Sequence, residues 1–403
     1  MKKIYILAAI ALVAGVSCTK QVPADNNSPD MPISFSPISQ KATTKALAGE
    51  QNTTYTLGTT PIFEHFSVYS VHTASNYATS TADAGSVAPV VFMSNVDCGY
   101  DSTNDAWNPK NGTGGQSYYW PKEGYLSFQA YSPSDVTATH SWATGFTFAN
   151  FQPLEPGSQY DLLFSEKVFD KQRANYTPAS PTMPYDDVTA NVHKGVDINF
   201  KHALASVQVQ FKLKQAYSNA VIKVKSIDFI NVQKQGTFEQ GLNDDATVAS
   251  YQSGYPKWTN TDATTNERTY NSFTSADAAG LTVTTDFQGI NTSSSSPITT
   301  TTGANFLMLI PQTLDHSTSA KHVSVQITYT VQQNSGAAIA QVTTIDLVNG
   351  NAGGYYTDGT NSIDKWEIGK RYVYSIIFGL DEIIFDPAVA TWEDKIVSPD
   401  INI

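Results

Sequence analysis

Apolar and polar residues alternate with a period of two along much of this chain, and that period belongs to strands. Ala205–Lys214 (ASVQVQFKLK) is the clearest run. It sets Val207, Val209, Phe211 and Leu213 on one face and Gln208, Gln210, Lys212 and Lys214 on the other. His322–Val331 (HVSVQITYTV) alternates as cleanly. Phe66–Val71 begins with Phe66 and Val68 together and changes face between Tyr69 and Val71. In Tyr118–Ser132, a turn at Pro121–Gly124 precedes Leu126, Phe128 and Ala130 on one face, with Ser127 and Gln129 opposite. Val221–Val232 shifts its apolar phase near Ser226, as a bulge would make it do. Phe306–Ile310 (FLMLI) is apolar throughout and predicts a strand covered on both faces. Ile33–Phe35, Phe146–Phe151, Tyr372–Phe378 and Glu382–Phe385 complete the series. No stretch carries the apolar stripe of a three-turn amphipathic helix. Many such strands, separated by turn clusters, predict an all-β chain of sandwiches.

The pattern breaks in a Pro-rich stretch, Pro178–Asp187, which reads as a linker or long loop. It divides the chain into an N-terminal β-sandwich over 32–190 and a C-terminal one over 191–403. Residues 1–18 read as a leader and 19–31 as a polar tether. Asn291–Gly303, rich in Ser and Thr, reads as an exposed loop, and no internal repeat is visible.

The leader changes the picture. Lys2 and Lys3 precede an apolar run from Ile4 to Val16, then Ser17 and Cys18. A basic start, a short apolar stretch and a small residue before a lone cysteine read as a bacterial lipoprotein signal. Cys18 then becomes the mature N-terminus and carries the lipid anchor that holds the protein to a membrane. The apolar run is shorter than the ~20 residues a spanning helix needs.

Charged residues make up only 15% of the chain, against roughly 25% in an ordinary soluble domain. The formal net charge is −12, and loss of Lys2 and Lys3 with the leader deepens it. That sign excludes nucleic acid as a partner. With Cys18 acylated, Cys98 has no thiol to pair with, so it reads as a small buried hydrophobe.

Catalytic chemistry finds no foothold. The chain has no Gly-x-Ser-x-Gly, no His-Glu-x-x-His and no phosphate loop. None of its seven histidines is spaced as a metal pair, and His202 in FKHALA reads as a structural, hydrogen-bonded residue. Asp97, Asp101, Asn104, Asp105 and Asn108 form an oxygen-rich run without the spacing of a calcium loop, so they read as turn residues. No paired carboxylates stand out as a glycosidase would need. The reading is therefore of a non-enzyme with no cofactor and no metal. Trp120 and Trp392 lie in strand-like apolar context and predict core positions. Trp107, Trp142 and Trp258 lie in polar stretches and are the candidates for exposed contacts.

Six segments then form an order: ISFSPISQKATTKA, YYWPKEGYLSFQAYSP, DLLFS, INFKHALASVQVQFKLK, FLMLIPQTL and WEIGKRYVYSIIFGLDEIIFDPAVATWED. From about Ile33 to Asp394 this order resembles the fimbrillin-like proteins, the lipoprotein-derived subunits of type V pili. The resemblance implies two transthyretin-like Greek-key β-sandwich domains in tandem and a surface location, lipid-anchored at the outer membrane or built into a fimbrium. It implies an envelope protease that removes an N-terminal segment, and other pilus subunits as partners that add a strand to the groove left behind. Here the displaced strand holds Ile33, Phe35 and Ile38, and cleavage falls after Lys41 or Lys45. The arginine that other members carry there is absent, since Arg173, Arg268 and Arg371 are the only arginines. Donor candidates are Ile383–Val389 and the tail Lys395–Ile403, with Ile396, Val397, Ile401 and Ile403 as its apolar residues. Stalk and tip positions both stay open, as does a host or bacterial surface ligand. A second reading is a surface glycan-binding lipoprotein serving polysaccharide uptake, which stays full length and binds through exposed tryptophans.

Overall fold

The structure, a computed structural model, describes residues 31–39, 56–57, 60–61, 65–77, 88–101, 106–109, 118–156, 159–173, 186–187, 192–193, 195–243, 250–260, 267–275, 277–289, 298–299, 307–314, 322–347, 362–380 and 383–391. Cys18, Lys41, Lys45, Asn104, Asp105, Trp392, Ile396, Val397, Ile401 and Ile403 lie outside these residues.

The strands up to residue 171 are β1 (Phe35–Ser39), β2 (Thr56–Leu57), β3 (Thr60–Pro61), β4 (His65–Thr73), β5 (Val90–Asp101), β6 (Ala106–Pro109), β7 (Tyr125–Ser132), β8 (Thr139–Ser141), β9 (Gly145–Phe151), β10 (Leu163–Ser165) and β11 (Val168–Lys171). Next come β12 (Asp186–Asp187), β13 (Val192–His193), β14 (Val196–His202), β15 (Ala205–Leu213), β16 (Ala220–Gln233), β17 (Gly236–Glu239), β18 (Lys257–Asn260), β19 (Glu267–Thr274) and β20 (Leu281–Thr282). The series ends with β21 (Gln288–Gly289), β22 (Ile298–Thr299), β23 (Leu307–Leu309), β24 (Gln312–Thr313), β25 (Ser324–Gln333), β26 (Ile339–Asp346), β27 (Lys365–Trp366), β28 (Lys370–Phe378) and β29 (Ile383–Thr391). The protein is essentially all-β, as the alternation predicts. Among the described residues, no helix is long and apolar enough to cross a membrane.

The first large sheet runs β10-β14-β1-β6-β5-β4-β7-β11, and β10 also pairs with β7. The pairings therefore close into a ring of seven strands, with β11 attached outside it. Side chains from all seven fill one core, including Phe35, Phe66, Val68, Met93, Cys98, Trp107, Leu126, Phe128, Leu163, Ile198 and Phe200. The expected change of face in β4 is a register irregularity against β5, between Val68 and Val71.

Two further sheets enclose the largest core. One runs β22-β21-β15-β28-β29, with β23 also on β15; the other runs β19-β16-β25-β26, with β20 also on β16. Val207, Val209 and Phe211 of β15 meet Ile222, Val224, Ile227 and Phe229 of β16, with Tyr372, Tyr374 and Ile376 of β28 beside them. The predicted bulge near Ser226 is present, as a register shift against β25 between Val224 and Ser226.

A third core lies under the four-stranded sheet β18-β17-β9-β8. It explains the unbroken apolar run FLMLI: Leu307 and Leu309 enter the largest core, whereas Met308 enters the third. Ser127 and Gln129, on the face of β7 opposite Leu126, Phe128 and Ala130, are also fully buried, so both faces of this strand are covered. Gln129 Oε1 accepts a hydrogen bond from His140 Nε2 at 2.7 Å. Pairings cross residue 190: β14 joins the ring, and β17 and β18 join β9 and β8.

His140 stacks on Tyr69 with ring centroids 4.1 Å apart and meets Trp142 edge-on at 5.2 Å. Burial, aided by the charge of Lys167, lowers its pKa to about 4. The unfolded chain takes up this proton near pH 6.5 and the folded one only near 4, so acid favours unfolding across that window. The unfolding free energy from urea titration is expected to fall between pH 6.5 and 4 by a term on the order of 3 kcal/mol. His140→Gln is expected to remove that term from the pH profile.

Candidate functional site

The N-terminal strand and the slot it fills form the candidate site. Met31, Ile33 and Phe35 alternate with small or polar neighbours, so all three point to one side and meet the ring core. Their relative exposures are 6%, 1% and 0%. The chain changes partners as it passes through. Ile33 N–H donates to Tyr118 O and Trp120 N–H donates to Met31 O, each at 2.9 Å. Val196 N–H then donates to Ser34 O at 2.9 Å. From there β1 runs parallel to β14, from Phe35 opposite Val196 to Ser39 opposite Phe200. Against β6 it makes one pairing, Phe35 with Trp107.

Phe35 anchors the segment. Its ring lies edge-on to Phe66 (5.9 Å) and to Phe128 (5.6 Å). Phe66 in turn meets Phe200 at 5.5 Å and Trp107 at 5.6 Å. Such edge-to-face pairs add about 0.5–1.5 kcal/mol each beyond the area they bury. Gly195 lets β1 approach β14, because a Cβ on it would stand 2.7 Å from the carbonyl carbon of Phe35.

Of the residues named from sequence, Ile33 and Phe35 lie inside this slot, and the backbone of Ile38 pairs with Asn199. The donor candidate Ile383–Val389 falls in β29, the edge strand that ladders along β28 from Phe378↔Ile383 to Lys370↔Thr391. Trp107 is a correction. It was expected among exposed contacts, but it is 4% exposed, because β6 turns it inward against Phe66. Trp142 and Trp258 are half-buried, and Trp258 Nε1 donates to Ala203 O. Trp120 is in the core, as expected.

His202 is buried against Asp161, whose Oδ2 lies 2.5 Å from its Nδ1, in keeping with a structural role. Burial, and secondarily Asp97, pushes the Cys98 thiol well above its usual range, so it stays a neutral hydrophobe. Asp97 and Asp101 sit on β5 and Asn108 on the neighbouring β6. Among the described residues no three His, Cys, Asp or Glu side chains group as metal ligands. The arrangement as a whole is suited to holding an extended segment, by ladder bonds and by pockets at alternate positions.

Sequence reasoning missed the other wall of the slot. Val196, Ile198 and Phe200 form it, and the signal was available, since VDINF alternates as cleanly as the strands already named.

A fimbrillin-like family model matches residues 53–392. No curated protein matches the chain. A fimbrial protein from Bacteroides vulgatus, solved by crystallography, superposes with a TM-score of 0.52 at 14% identity, covering 90% of this chain and 100% of that one. The tip fimbrial protein Mfa3 from Porphyromonas gingivalis, with a C-terminal truncation, gives 0.34 at 8% identity over 82% of this chain and 94% of its own.

Proposed function

This chain belongs to the fimbrillin-like family, and on that premise we propose that it is a structural or adhesive subunit of a type V surface fimbria. It is exported as a lipoprotein held by Cys18, built of two transthyretin-like sandwich units, and matured by an envelope protease. Cleavage after Lys41 or Lys45 frees the segment that contains Ile33, Phe35 and Ile38, and a strand from another subunit takes its place.

One observation carries this reading. The segment just upstream of Lys41 supplies a strand inside a closed ring, with Phe35 wholly buried and the residues before it hydrogen-bonded separately to Tyr118 and Trp120 and to Val196 of β14. A sandwich deprived of such a strand exposes unpaired N–H and C=O groups beside an apolar slot. Another subunit's strand satisfies both at once.

Brief trypsin treatment of the full chain, followed by an unboiled detergent gel, tests the proposal. The parent is expected to be cut at Lys41 or Lys45 and to give a ladder of high-mass species. A Lys41→Ala/Lys45→Ala variant is expected to stay monomeric under the same treatment. Cleavage at either lysine that leaves only monomer overturns strand exchange.

A further inference from the structure

Among the described residues a second sheet edge carries no further strand. β26 ends the sheet β19-β16-β25-β26, and its eight residues (IAQVTTID) are all exposed or half-exposed. Ile339 and Val342 are each 62% exposed, the highest values among the described large apolar side chains. Natural edges are blunted by charge, proline, bulges or shortness. The other described strands of four residues or more that end a sheet follow that rule. β29 carries Asp386 and Pro387, β19 carries Glu267, Arg268 and two register shifts, β11 carries Asp170 and Lys171, and β18 carries Lys257. β26 has no proline, no glycine and no shift against β25, and its single charge, Asp346, stands at its end against His322.

We infer that β26 is a docking edge for a second copy of this chain, paired antiparallel about a two-fold axis at Val342. Such an axis keeps each face on its own side, so only registers pairing residues of like parity are allowed. Centring on Val342 sets Val342 opposite its own copy on the outer face. On the inner face the same register sets Ile339 opposite Ile345, which already packs against the largest core. The most exposed apolar residues thus gain apolar partners, which cross-strand pairing rewards. Gln341 meets Thr343, Ala340 meets Thr344 and Asp346 meets Ala338. No like charges face each other along the ladder, although each copy carries a net charge of −12.

A ladder of this length falls short of the roughly 1,200 Å² of a stable complex, so the pair dissociates on dilution. Its strength rises where copies are repeated, by avidity. The pairing needs neither cleavage nor a donated strand, so it goes beyond the proposal above and is tested on the uncleaved chain.

Single-cysteine substitutions read the register. Directly opposed residues on antiparallel strands have Cα atoms about 4.5–5.5 Å apart, within disulfide reach. Val342→Cys is therefore expected to give a disulfide-linked dimer under mild oxidation. In Thr344→Cys the two thiols are offset by four residues, about 13 Å, and the yield should match that of the unsubstituted chain. Cys98 is buried and does not compete. In sedimentation equilibrium, Val342→Lys is expected to weaken self-association at least tenfold, by setting like charges face to face. Equal cross-linking at 342 and 344, or unchanged self-association in Val342→Lys, overturns the inference.

Discussion

Phe35→Ala is expected to destabilise the uncleaved protein by about 3–5 kcal/mol, the range for truncating a fully buried phenylalanine. The ring of Phe35 touches Phe66 on β4 and Phe128 on β7, which lie across the ring of strands from β1. Its loss leaves a cavity that neighbours on closed, mutually paired strands cannot collapse to fill. For a unit of this size the midpoint of thermal unfolding should fall by roughly 6–20 °C. Phe35→Leu keeps most of the volume and should cost less than about half as much. The same substitution also distinguishes a removable strand from a permanent one. After cleavage beyond β1 and loss of the released segment, parent and variant are the same molecule and should melt together. A difference that survives this step means β1 never leaves.

What could be read from the sequence was local. The change of face after Tyr69, the bulge near Ser226 and the two-sided burial of FLMLI each follow from the order of a few residues, and each is in the structure. What escaped depends on which strands meet. β14 and β15 are separated only by Ala203 and Leu204, which invites a reading as neighbours in one sheet, yet β14 closes the ring and β15 opens the next sandwich. Trp107 lies in a polar stretch because β6 is short, and one residue of it reaches the core. Ser127 and Gln129 are polar by type but buried, since their face of β7 is covered too, by His140 on Gln129 Oε1 and by Asp170 N–H on Ser127 Oγ. The slot shows the same division. Its occupant was visible as alternating Ile33 and Phe35, whereas its walls come from residues 107, 118–120 and 195–200, brought together only by the ring.

A cleaved chain, warmed with a labelled peptide of residues 31–39, is expected to take that peptide up, while the uncleaved chain is expected to exclude it. Burial of Met31, Ile33 and Phe35 contributes about 1.5–3 kcal/mol each, and the bonds to Tyr118, Trp120 and Val196 add about 1 kcal/mol apiece. After the cost of ordering an extended peptide, a dissociation constant near micromolar is the expected scale, corresponding to about 8 kcal/mol. Phe35→Ala in the peptide should weaken uptake by roughly a hundredfold, the equivalent of about 3 kcal/mol. The same assay ranks the donors. In the tail, Ile401–Asn402–Ile403 repeats the apolar, polar, apolar order of Ile33–Ser34–Phe35. That register sets Pro399 at the place of Met31, whose carbonyl accepts from Trp120 N–H while its own N–H bonds no described residue, so among the described residues the proline costs no ladder bond there. A peptide of Lys395–Ile403 should therefore compete, more weakly than the native segment because isoleucine forgoes the edge-to-face contacts of Phe35. Failure of this peptide to compete, with the native peptide still taken up, removes Ile396, Val397, Ile401 and Ile403 as donors and keeps the slot as acceptor.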